Sequence, residues 1–166
     1  MSTRKSLVFP FIITLIILGI IVYLFMNVKQ PYVECDKTTT FDGNIKISES
    51  LKTTLNGNKI DKLELIKVIT LNDTKHINSV KNSLKDAYKY LGKDAKISTD
   101  DNKIIIKVVV DDNETILLNN ISFNGENSLE IENNTKSSNV VSLKVNENYT
   151  EGELITRLRN NGYACR

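Results

Sequence analysis

The residue types able to do nucleophilic, acid–base or metal chemistry are thinly spread in this chain. His76 is its one histidine, and Cys35 and Cys165 are its only cysteines. A serine or thiol relay needs an imidazole beside the nucleophile, and a structural zinc site needs four ligands. His76 falls in the first turn of a helical pattern, off its apolar stripe, where an exposed histidine is ordinary solvated surface. No glycine-rich phosphate loop opens a helix. The sequence therefore names no catalytic, cofactor-binding or metal-binding residue.

Two acidic clusters supply hard oxygen ligands of the kind calcium takes, Asp100-Asp101-Asn102 and Asp111-Asp112-Asn113. They bracket a strand-like run, so they should lie roughly 25 Å apart and cannot share one ion. Charged turn residues are the simpler reading. Asn72, Asn113, Asn120, Asn133 and Asn148 each begin an Asn-x-Ser/Thr triplet, which matters only in a host that glycosylates secreted proteins.

The chemistry left to the cysteines is to oxidise with each other. A disulfide between Cys35 and Cys165 requires an oxidising compartment, and the N-terminus points to one. Residues 7–28, LVFPFIITLIILGIIVYLFMNV, are apolar almost throughout. As a helix they would reach about 33 Å, enough to cross a hydrocarbon core of about 30 Å. Arg4 and Lys5 precede the run, while Lys29 and Lys37 after it are mixed with Glu34 and Asp36. The positive-inside rule then keeps the N-terminus in the cytoplasm and the rest outside. A cleaved signal peptide would have a shorter apolar core and a small-residue cleavage site, and NVKQPYVE offers none. Lipidation at Cys35 would need small residues where Tyr32, Val33 and Glu34 stand. The expected layout is a cytoplasmic tail 1–6, a transmembrane helix 7–28, a tether 29–34 and an extracytoplasmic domain 35–166.

The domain must be built from mixed elements. Residues 44–55 place Ile45, Ile47, Leu51 and Leu55 on one face at period two, broken by Glu49 and Thr53. Asn56-Gly57-Asn58 signals a hairpin turn. Residues 60–71 return with Leu63, Leu65, Ile69 and Leu71 on one face, broken by Lys67. The period then changes: Ile77, Val80, Leu84, Tyr88 and Leu91 recur every three or four residues, predicting a helix capped near Asp73 or Thr74 and ended by Gly92. Strands are expected at 95–99, 103–110, 115–118 and 140–145, with short ones around Ser122–Phe123 and 129–131. Thr150 can cap a last helix running to about Asn160, with Glu151 and Glu153 favourable to its dipole and Gly162 after it.

Four of these stretches, TFDGNIKIS, LNGNKI, SVKNSLKDAYKYLG and KISTDDNKIIIKVVV, occur in an order between Thr38 and Asp112 that resembles the YehR-like family of small bacterial lipoproteins. The resemblance covers under half of the chain and implies a related fold and an envelope location. It transfers no catalytic residue. Members of that family carry a lipidated cysteine near the N-terminus, where this chain has its apolar run.

The chain holds 22 basic and 20 acidic residues, without a basic stripe. Neither composition nor patterning calls for nucleic acid. The expected fold class is α+β: an N-terminal transmembrane helix, then one domain with a mostly antiparallel sheet packed against one long helix, plus a short C-terminal helix. The expected partners are membrane lipid and an envelope protein or ligand. The expected function is a non-enzymatic binding or envelope-accessory module at the cell membrane. The alternatives are a cell-envelope hydrolase using carboxylates and a regulatory subunit of a membrane complex.

Overall fold

A computed structural model describes residues 31–42, 45–90, 95–124, 128–132 and 140–166, together with Ile17 and Leu18. The chain divides into two units, Met1–Gln30 and Pro31–Arg166.

In the second unit, strand β1 (Tyr32–Thr40) turns Val33 and Cys35 inward at period two. Strand β2 (Lys46–Asn56) buries Ile47, Glu49, Leu51, Thr53 and Leu55 on the same face. Strand β3 (Lys59–Thr70) follows a two-residue turn led by Gly57, whose φ of 61° is open to glycine without a Cβ penalty. Helix α1 (Ile77–Tyr90) packs Ile77, Val80, Leu84 and Tyr88 into the core. A hairpin of β4 (Ala95–Asp100) and β5 (Lys103–Val110) turns at Asp101, whose φ is 49°. Short strands β6 (Thr115–Leu118), β7 (Ile121–Asn124), β8 (Ser128–Ile131) and β9 (Val141–Lys144) come next. Helix α2 (Glu151–Asn160) and strand β10 (Ala164–Cys165) end the chain.

Among the described residues all strand pairings are antiparallel. The main sheet has six strands in the order β10-β1-β2-β3-β5-β4, and two separate ladders pair β6 with β9 and β7 with β8. One face of the main sheet forms the core with both helices and the ladders. The opposite face carries Ser48, Ser50, Lys107 and the half-exposed Ile66 and Val109.

The expected fold class needs correcting at its first element. Among the described residues no helix is long and apolar enough to cross a membrane. Crossing requires about 20 apolar residues in a row, whereas α1 and α2 have 14 and 10 residues and are amphipathic, each spending one face on the sheet. The stretch 7–28 itself lies outside the described residues, apart from Ile17 and Leu18. The expected tether also differs, because β1 begins at Tyr32 and the folded unit at Pro31. Its signal was faint: YVECDKTTT places only Val33 and Cys35 on an apolar face.

Thr53 illustrates how tightly the inner face is filled. It is fully buried between Val33 and Leu63 on the neighbouring strands, and its hydroxyl has no hydrogen-bond partner among the described residues. An unmade bond of this kind costs about 1–3 kcal/mol. Thr53→Val keeps the shape and removes the hydroxyl, so it should raise the urea unfolding midpoint, by about 1 kcal/mol in stability. A variant less stable than the parent would show that the hydroxyl does have a partner.

Candidate functional site

Two charges that interrupt the apolar alternation of β2 and β3 meet inside the domain. Lys67 Nζ lies 2.6 Å from Glu49 Oε1, and the two side chains are 0% and 5% exposed. Burying either charge alone would be costly, so each depends on further partners. Lys67 also donates to the Leu117 carbonyl at 3.2 Å and to Asn120 Oδ1. The Asn119 backbone N–H approaches both carboxylate oxygens of Glu49, at 3.3 and 3.2 Å. Asn119 manages this with φ at 55°, a conformation asparagine tolerates. The connection between β6 and β7 is therefore held onto the sheet by the ion pair.

The last donor comes from the end of the chain. Thr150 caps α2 in a reciprocal arrangement with Glu153. At the other end Gly162 N–H bonds to the Arg159 carbonyl and Tyr163 N–H to that of Leu158, a Schellman closure with Gly162 at φ 85°. That closure reverses the chain and sends the buried Tyr163 ring inward, where its hydroxyl donates to Glu49 Oε2. Burial pushes the Tyr163 hydroxyl far up from its ordinary pKa, and the neighbouring carboxylate pushes it further.

For Glu49, burial raises the carboxyl pKa. The charge of Lys67 and the bonds from Lys67, Tyr163 and Asn119 together outweigh it, so the group sits below its ordinary 4.5. A carboxylate with a lowered pKa stabilises the fold above its unfolded value and loses that contribution as pH falls through the folded one. Urea titrations from pH 7 to pH 3 should therefore show stability dropping below about pH 4.5, with a shallower drop in Glu49→Gln. Parallel curves for the two chains would remove Glu49 from that account.

Beside this cluster opens a cleft of about 430 Å³. Lys37, Thr39 and Phe41 line it from β1, Ile121 and Ser122 from β7, and Asn160 and Asn161 from the end of α2. Among the described residues Glu49 is the one acid in its lining. Lys37 is pinned, its Nζ donating to the Asn161 carbonyl at 2.8 Å and lying 5.5 Å from the centre of the Tyr163 ring. Phe41 is braced edge-on by Phe123, ring centres 6.0 Å apart.

No family model, curated protein or solved structure matches the chain.

The residues singled out from the sequence fall elsewhere. Cys35 and Cys165 form a disulfide across β1 and β10, directly opposite in register. His76 is partly exposed, its Nδ1 3.4 Å from Asp73. Asp100–Asp101 and Asp111–Asp112 lie beyond opposite ends of β5. Among the described residues no three metal-ligating side chains gather. Asn120 is 98% hidden with its amide oxygen on Lys67, which leaves it poorly placed to receive a glycan. Glu49 and Lys67 were visible only as polar interruptions at the centres of two apolar strands. That was the available signal.

Proposed function

We propose that the folded unit is an extracytoplasmic, non-enzymatic binding module that takes a polar ligand or a segment of an envelope partner into the cleft beside Glu49. The observation that carries this is the state of the carboxylate. Glu49 is matched by Lys67 and saturated by Tyr163 and Asn119, so it has no lone pair poised to move a proton. Of the other polar groups in the lining, Lys37 is tied to the Asn161 carbonyl, and Thr39, Asn119, Ser122, Asn160 and Asn161 are neutral. A carboxylate hydrolase would need a second acid about 5–10 Å from the first across the cleft. Among the described residues the lining supplies none.

The disulfide supports the compartment, because such a bond persists where thiols oxidise. The resemblance of residues 38–112 to the YehR-like lipoproteins agrees with an envelope setting. The test is a photoreactive amino acid placed at Ser122 in the whole chain in living cells. A specific adduct that disappears when the cleft is filled by Asn160→Trp is the expected result. Adducts unaffected by filling would overturn the assignment of the cleft, and free thiols in chains trapped from intact cells would overturn the compartment.

A further inference from the structure

We infer that the cleft receives an extended peptide, which adds as a strand to the open half of the outer edge of β1; this rests on the binding-module reading above. The described residues cover the edge along only part of its length. β10 pairs with β1 at Cys35 and Asp36, and Glu34 and Arg166 exchange backbone bonds of 3.2 and 2.9 Å just beyond. Those reciprocal bonds show that Glu34 points its backbone groups outward. At the other end of the strand, Phe41 N–H bonds inward to the Ile45 carbonyl at 2.8 Å. Backbone direction alternates along a strand, so the N–H and C=O groups of Thr38 and Thr40 point outward too. Among the described residues no strand lies along them, because the chain arriving from α2 reaches the edge only at Ala164.

An unpaired strand edge is a template for another backbone, and natural sheets blunt such edges with charge, proline or a covering segment. Here β10 is the covering segment, and it stops short. The uncovered part coincides with the cleft, since Lys37, Thr39 and Phe41, whose side chains line one wall, alternate with Thr38 and Thr40. A peptide lying in line with β10 would bond Thr38 and Thr40 through its main chain and drop alternate side chains between β1 and Asn160–Asn161. In strand addition the main chain supplies affinity and such recesses supply selectivity. Glu49 is neutralised by Lys67, Lys37 spends a hydrogen bond on the neutral Asn161 carbonyl and keeps its charge, and the hydroxyls of Thr39 and Ser122 have no partner among the described residues. The side chain that fits is polar and not basic.

The experiment pans a random heptapeptide display library on the oxidised whole chain, then measures an enriched peptide by fluorescence anisotropy, with cellotriose as the second probe. Thr38→Pro and Thr40→Pro each remove an outward N–H and leave the inward pairing to β2 intact, as edge positions permit. Each should weaken the peptide about tenfold or more with an unchanged circular dichroism spectrum, and Ser122→Phe, which fills the recess without touching the edge, should do the same. The Thr38 and Thr40 amides should exchange with solvent more slowly once peptide is bound. Peptides that bind both proline variants as well as the parent would overturn the inference, as would a dimer of the chain that Thr40→Pro dissolves. Cellotriose shifting the cleft resonances while no peptide is enriched would overturn the peptide and leave the binding module standing. Neither probe perturbing the cleft would sink both.

Discussion

Lys67→Met should destabilise the domain by about 3–5 kcal/mol, the usual cost of leaving a buried charge without its partner. The change removes a fully buried ammonium that lies 2.6 Å from Glu49 and also holds Asn120 and the Leu117 carbonyl. What remains is a carboxylate, 5% exposed, facing Tyr163 and the Asn119 N–H with no ion-pair partner among the described residues. Methionine fills most of the lysine stem's volume, so the loss reports charge more than packing. Glu49→Gln/Lys67→Met should recover at least half of it, since a neutral amide still accepts from Tyr163 without stranding a charge. The difference between the double variant and the summed single variants, read from urea unfolding at pH 7, measures the coupling. A loss under about 1 kcal/mol in Lys67→Met would mean that the pair is solvated and that the cluster does not organise the cleft.

The second large effect concerns the covalent closure. Removing the disulfide, by reduction or by Cys35→Ala/Cys165→Ala, should cost about 2–5 kcal/mol. The two cysteines are separated by 130 positions, so the bond restricts almost the whole folded unit in its unfolded state. Locally it fastens β10 to the edge of β1, where two residues of pairing would hold little unaided. The measurement is the urea midpoint with and without reductant. The parent should shift, and the double alanine variant should already sit at the reduced value and ignore the reagent. Cleft and bond are also linked, because Tyr163 lies two residues before Cys165 and donates to Glu49. Reduction should therefore speed amide exchange at Arg166 and Tyr163 before the rest of the sheet opens. Equal midpoints in both redox states would show that the α2–β10 segment is secured by Leu154, Leu158 and Tyr163 alone.

Both effects act on the same geometry. The ion pair fixes the β6–β7 connection against β2 and β3, and the disulfide fixes the end of α2 against β1. The walls of the cleft belong to those parts. Losing either should blur the recess before it unfolds the sheet, which predicts that ligand binding is more sensitive to reduction than far-ultraviolet ellipticity is.

Much of this was local and hence readable from residues alone. The stripe of Ile77, Val80, Leu84 and Tyr88 makes a helix wherever an apolar surface awaits it, Gly57 turns a hairpin through its own backbone freedom, and Thr150 with Glu153 caps α2 within four residues. Local patterning misled where it was weak or where its context lay far away. β1 has two inward apolar residues in nine, and its first three, Tyr32–Glu34, read as tether until Leu51 and Cys165 stand opposite Cys35. Glu49 and Lys67 read as errors in their strands, because their partners, Asn119, Asn120 and Tyr163, are separated from them by between 53 and 114 positions. The apolar content of residues 7–28 is a property of the sequence, yet no described helix is long and apolar enough to cross a membrane. Periodicity reports which face of an element turns from water. Which distant charge will meet it there is decided only when sheet register and chain reversal are set, and those are properties of the assembled fold.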